Sequence, residues 1–160
     1  MKIRYVFGGI VTLGLFVFGY YAISPLFNNI KVDEALPQAI ESKGENTTEV
    51  SPVQNTKVVA SHPVIGTVGH PASGTVRIVE VSGKKYVRYE NFKTINGPDI
   101  YVYIAKDLDA KEFVNLGRVK ATEGNINYEV PDGVDVSQYP YVLTWCKTFG
   151  VLFNYATLEG

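Results

Sequence analysis

From Tyr5 to Phe27 the chain runs for 23 residues without a charge, YVFGGIVTLGLFVFGYYAISPLF, directly after Lys2 and Arg4. A helix rising about 1.5 Å per residue needs roughly 20 such residues to cross a bilayer core. A secretory signal core is shorter, about 7–15 residues, and ends at a small-residue cleavage site. Here bulky Ile23 separates Ala22 from Ser24, and Pro25 comes next, so the run reads as an uncleaved signal-anchor. Tyr5 at one end and Tyr20 and Tyr21 near the other suit the two interfacial belts. Lys2 and Arg4 hold the short N-terminus in the cytoplasm by the positive-inside bias, which sends the rest of the chain outside. A single-pass cell-membrane protein with an extracytoplasmic body is expected.

The aromatic residues divide the chain. Seven lie at or before Phe27, none between Asn28 and Lys85, and thirteen from Tyr86 onward. The organisation expected is an anchor over 1–30, a flexible extracytoplasmic linker over 31–63 and one globular domain over 64–160. The linker is polar and carries Pro37, Pro52 and Pro63, and such a segment buries too little surface to offset its ordering entropy. Beyond Arg4 there are thirteen basic against sixteen acidic residues with no basic stripe, so nucleic acid is excluded as a partner class.

The body reads as short β-rich runs between turn signals. Thr75 to Val81, Lys85 to Phe92, Ile100 to Ala105, Gly117 to Ala121, Asn125 to Val130, Tyr141 to Lys147 and Val151 to Leu158 are the expected strands. Ile100 to Ala105 (IYVYIA) is apolar on both faces and is expected to be central. Asp107 to Val114 has the composition for a turn or two of helix, and Asn96-Gly97-Pro98-Asp99 is a turn in which Gly permits positive φ. Seven or eight strands in under 100 residues predict an all-β fold, an antiparallel β-sandwich of two packed sheets, preceded by the one transmembrane helix.

Four patches together resemble the electron-transfer DM-thirteen family, a relative of the DOMON sandwiches: HPASGTVRIVE (70–80), YENFKTINGPDIYVYI (89–104), NLGRVKATEGNINYEVP (115–131) and YVLTWCKTFGVLFNYATL (141–158). The likeness runs from Ile65 to Leu158, and NF…NGPD…YVY and WC..F.V.F..A.L are its specific parts. The resemblance implies an extracytoplasmic, DOMON-like sandwich with a redox role centred on a cysteine, which here is Cys146.

Cys146 is the only thiol, so no intrachain disulfide and no dithiol mechanism exists. In a strand over 141–147 it shares a face with Val142 and Thr144, opposite Leu143 and Trp145. A lone thiol there is either a small buried hydrophobe or a redox group; the second use leaves a mixed disulfide, a sulfenic acid or metal ligation. His70, Asp99 and Trp145 are accessory candidates, each with an ordinary structural use: a solvated loop imidazole, an acceptor for N–H groups of its own turn, and core packing. No cofactor is required by the sequence. Copper would lack a second histidine and an axial Met, and haem would have to take His62 from the linker. No hydrolase or nucleotide-binding motif is present. Two functions are carried: a redox or electron-transfer module meeting an extracytoplasmic redox partner, and a non-catalytic module binding a protein or glycan.

Overall fold

The computed structural model describes residues 2–24, 29–37, 57–58 and 60–158, with the backbone alone for 2–8, 22–23 and 57–58. The uncharged run is helical as far as Ile23: α1 spans Lys2–Ile23. Among the described residues no helix is long and apolar enough to cross a membrane; the part of α1 whose side chains are described, 9–21, rises only about 20 Å.

Eleven strands come after it in the described residues: β1 (Lys31–Asp33), β2 (Lys57–Val58), β3 (His62–Pro63), β4 (Ile65–Gly66), β5 (Ala72–Val81), β6 (Lys84–Thr94), β7 (Ile100–Ala105), β8 (Phe113–Arg118), β9 (Glu123–Glu129), β10 (Tyr141–Cys146) and β11 (Val151–Thr157). One sheet has the order β1-β9-β6-β5-β2, with β3 also on β5; the other has the order β4-β11-β10-β7-β8. Every pairing is antiparallel except β1 with β9. The inward residues of both sheets form the core, with Val76, Val87, Tyr89, Ile126 and Tyr128 from the first meeting Val102, Ile104, Val142 and Ala156 from the second. Each fully buried Val or Ile contributes about 1.5–3 kcal/mol. As its two-sided apolar pattern predicts, β7 lies between β10 and β8, with Tyr103 and Ala105 buried on the outer face by Leu108, Leu143 and their neighbours.

Residues 107–112 do not make helix. Asp107's carboxylate accepts the N–H groups of Asp109 and Lys111 at 2.9 and 3.1 Å, closing a loop, and β8 starts at Phe113, earlier than its sequence pattern implies. The expected linker carries β1, β2 and β3; its residues 38–56 lie outside the described residues.

The docking of β1 has identifiable causes. Its neighbour on β9 is Gly124, at φ +121°, and a Cβ there would stand 1.9 Å from the Val32 carbonyl oxygen. Arg88, on the outer face of β6 yet only 5% exposed, then holds the segment after β1. Its guanidinium donates to the carbonyls of Glu34 and Ala35 at 3.1 and 3.2 Å, to Asn127 Oδ1 at 2.8 Å and to Glu90 at 2.9 Å. Asn127 N–H and Lys120 Nζ both reach the Glu34 carboxylate. A buried guanidinium with that many acceptors cannot release the segment without orphaning them.

Gly124→Ala is expected to cost about 1–3 kcal/mol through backbone strain and the clash with Val32. In hydrogen exchange it should release the Glu34 N–H, which bonds the Asn125 carbonyl, while amides of β5 and β6 stay protected. Unchanged exchange at Glu34 would show that β1 does not depend on this contact.

Candidate functional site

One end of the sandwich is built from two crossings between the sheets and one hairpin turn within the second sheet. β6 ends and crosses through 95–99 to the start of β7; β10 ends and turns into β11; β8 ends where β9 begins. Cys146, His70, Asp99 and Trp145 are all at this end. Cys146 is the last residue of β10, paired to Ile100 on one side and Val151 on the other. Its thiol is 0% exposed and packs in a small cluster with Ile100 and Phe153, bordered by Ile95, Val119 and Val151.

Phe153 links the thiol to the imidazole. It is the extra residue of a bulge in β11 opposite the Thr144–Trp145 step, which turns its ring inward. The ring lies beside Cys146 on one hand and stacks on His70 on the other, with centroids 4.0 Å apart and 30° between planes. It also approaches Gly97, where a Cβ would come within 2.9 Å of it. Gly97 is therefore a glycine for the room Phe153 needs; its φ is not among the positive values of the chain.

His70 is fixed as well as stacked. The Thr67 hydroxyl donates to the main-chain carbonyls of Leu152 and Phe153 at 2.8 and 3.0 Å, and lies 3.2 Å from His70 Nδ1. The contact between Thr67 Oγ1 and Nδ1 fixes the plane of the ring beside Phe153. His62, expected in a mobile stretch, is half-buried in β3 and paired to Val76.

Asp99 does not serve its own turn. Its carboxylate takes the Arg118 guanidinium and the Thr148 hydroxyl, the latter at 2.9 Å, and its carbonyl accepts the Lys147 N–H at 2.9 Å. It thereby ties the 95–99 crossover to the β10–β11 turn and to β8. Burial alone would raise its pKa, but the hydrogen bonds from Thr148 and Arg118 and the charges of Arg118 and Lys147 outweigh it and hold the carboxyl below its usual range. Trp145 is half-buried on the opposite face of β10 from the thiol, in the outer cluster with Leu143 and Tyr101, as the strand alternation predicts. Arg118 and Lys147 stand 5.4 and 5.6 Å from the centroid of the Tyr101 ring.

Between the sheets, next to this cluster, Asn154 donates to Thr94 Oγ1 at 3.0 Å, joining β11 to the end of β6. Among the described residues no three of His, Cys, Asp and Glu gather as a metal-holding group. A shallow cleft of about 320 Å³, lined by Gly83, Lys85 and 130–135, is at the opposite end and contains none of these side chains. Phe153, Thr67, Arg118 and Thr148 were not singled out by sequence; only Phe153 had a signal, as the third apolar residue of F.V.F after the cysteine.

A carboxylate whose folded pKa is depressed contributes stability above its unfolded value, near about 3.9, and that contribution is lost as pH falls through the folded value. Asp99→Asn is therefore expected to lower Tm at neutral pH, with the gap to wild type closing in acid. A gap independent of pH in differential scanning fluorimetry would show that charge is not what binds these turns.

Compared with known proteins, residues 65–158 match the family model described as Electron transfer DM13. No curated protein and no solved structure matches the chain.

Proposed function

The chain belongs to the electron-transfer DM13 family, and from that premise we propose that it is a membrane-anchored, extracytoplasmic electron-transfer module centred on Cys146. The observation that carries the proposal is the line of groups at one end of the sandwich. The sole thiol abuts Phe153, and Phe153 is stacked on a hydrogen-bonded His70. The uncharged run Tyr5 to Phe27 supports the anchor, and Lys2 and Arg4 ahead of it support the outward orientation of the body. Of α1, the described apolar side chains are exposed, Phe16 at 74% and Leu15 at 67%.

Burial selects among the uses of a single thiol. A mixed disulfide requires a second sulfur to reach Sγ, and a sulfenic acid requires a peroxide to do so. Neither approaches a sulfur enclosed by Ile100, Phe153 and Val151 without opening the turn. One-electron exchange needs no second heavy atom at Sγ: the electron leaves by tunnelling across Phe153 and His70 to an oxidised partner at the surface, the S–H proton leaves to water, and the thiyl radical that remains is returned to thiol by the reverse transfer of an electron and a proton. In this role His70 and Phe153 couple Cys146 to a redox partner at the surface, while Asp99 keeps the surrounding turns rigid. Rigid surroundings limit the reorganisation that accompanies a change of charge.

A binding module for a protein or glycan is the second reading. It is favoured by the outer face of the β4–β8 sheet, where Tyr101, Tyr141, Trp145 and Tyr155 are half-buried in one cluster.

Serine is not a neutral probe at position 146, since an unpartnered hydroxyl in this cluster would cost about 1–3 kcal/mol. In the full chain, Cys146→Ala is expected to keep the far-ultraviolet circular dichroism spectrum of a β-protein and to lose the electron equivalents exchanged in protein-film voltammetry. Phe153→Leu should retain the equivalents and slow their exchange. If Cys146→Ala exchanges as many electrons as wild type, the thiol is not the centre.

A further inference from the structure

We infer that the Cys146 end of the sandwich is seated on the bilayer that holds α1, with the turns carrying Val68 and Phe149 in the lipid interface. This rests on the proposed anchoring of the chain and adds an orientation to it.

The first support is where the chain enters the domain. α1 ends at Ile23, and by Ile30 the chain is already bonded to the sandwich. Ile30 N–H donates to Thr122 Oγ1 at 3.0 Å, and the Ile30 carbonyl accepts the N–H groups of Thr122 and Glu123 at 2.8 and 3.1 Å. Seven residues reach at most about 25 Å fully extended. Because β1 pairs parallel to β9 from Lys31↔Glu123, it begins at the end where β9 begins, which is the end where β10 finishes at Cys146. The polar stretch 38–56 comes after β1, between it and β2, and so adds no length between helix and sandwich. Held by Gly124 and Arg88, β1 keeps the point of entry at this end.

The second support is the placement of exposed apolar side chains. Among the described residues outside α1, the large apolar side chains exposed to solvent are Ile30 at 47%, Ile65 at 44%, Val68 at 101%, Phe113 at 44% and Phe149 at 44%. Ile30, Val68 and Phe149 all lie at the Cys146 end: Ile30 at the entry point, Val68 in the turn closed by Thr67 and His70, and Phe149 in the β10–β11 turn. Ile65, part-way along β11 opposite Tyr155, and Phe113, at the far end of β8, are the exceptions. A fully exposed Val and a half-exposed Phe at neighbouring loop tips lose apolar surface to water that an interfacial position would remove. Phe149 also meets Phe18 of α1 edge-on, with ring centroids 6.3 Å apart, which sets this tip against the helix itself. A lipid interface is the occupant that all three tips and the helix share.

The test uses the full chain reconstituted into phosphatidylcholine vesicles. In a Trp145→Phe background, which removes the only native Trp, single tryptophans are placed by Val68→Trp, Phe149→Trp and, as the distal reference, Phe113→Trp. Val68 is wholly exposed, so its substitution leaves folding intact, and it serves alone if the Phe149 variant does not fold. With nitroxide-labelled acyl chains in the vesicles, tryptophan at 68 and 149 is expected to be quenched more than at 113, because side chains in the interface lie about 5–10 Å into the headgroup and acyl boundary. Iodide in the aqueous phase should give the reverse order. Flotation of the same vesicles after an alkaline wash separates the two ideas. A chain that floats while positions 68 and 149 remain in water overturns the seating and leaves the anchor standing. A chain that is washed off overturns both.

Discussion

The contact on which the arrangement of this molecule depends is the approach of the Val32 carbonyl to Gly124. It joins β1, Lys31–Asp33, to the edge of a sheet, in parallel, with no room for a side chain on the partner strand. Once β1 is there, Arg88 is enclosed, and its guanidinium, paired with Glu90 and Asn127, spends its remaining donor capacity on the carbonyls of Glu34 and Ala35, which a release of the segment would leave unused. A polar, aromatic-free segment suggests a tether, but hydrogen bonding makes its first residues a hinge with little freedom. The difference matters because a tether leaves a domain free to point anywhere and β1 does not.

The same end of the sandwich is held a second time, by polar contacts between its turns. Asp99 joins the crossover to the β10–β11 turn and β8, Thr67 fastens the His70 turn to β11, and Asn154 joins β11 to β6. These elements are distant in sequence, and without such ties the turns would be the first parts of the fold to open. Their effect is to keep Phe153 between His70 and Cys146. The bulge that turns Phe153 inward, and the absence of a Cβ at Gly97, make the space; the polar ties keep it closed.

Much of the fold was legible because sandwiches advertise themselves in period-two alternation and turn residues. β5, β6, β7, β10 and β11 fall where β-branched and aromatic runs predict them, and the alternation in YVLTWC separates Cys146 from Trp145 correctly. The 107–112 loop was not legible, since its closure depends on which N–H groups one carboxylate accepts, and the residue types DLDAKE suit a helix as well. β1 was not legible either: a three-residue edge strand has no periodicity to detect, and its cause is a glycine some 90 residues away. For the site, the cysteine and the histidine stood out as rare residue types, whereas Phe153 and Arg118 are ordinary residues that become particular only through a bulge and a turn. The role expected for Asp99 in its own turn failed for the same reason, because its donors came from β8 and from the β10–β11 turn.

Burial of Cys146 and the position of its end relative to α1 constrain chemistry together. A thiol used for covalent exchange belongs on an accessible surface, and a module that trades electrons with diffusing partners gains from a long leash. This chain has neither at the site: the sulfur is enclosed, and the strand after the helix is fixed to the sheet. Both features suit a partner met repeatedly in one geometry. If the Cys146 end faces the bilayer, the aromatic pair Phe153 and His70 leads from the thiol toward the plane in which a membrane-borne partner diffuses. Encounter in that plane is confined to two dimensions with the site already oriented. Orientation would then do for electron exchange what an open pocket does for a soluble ligand.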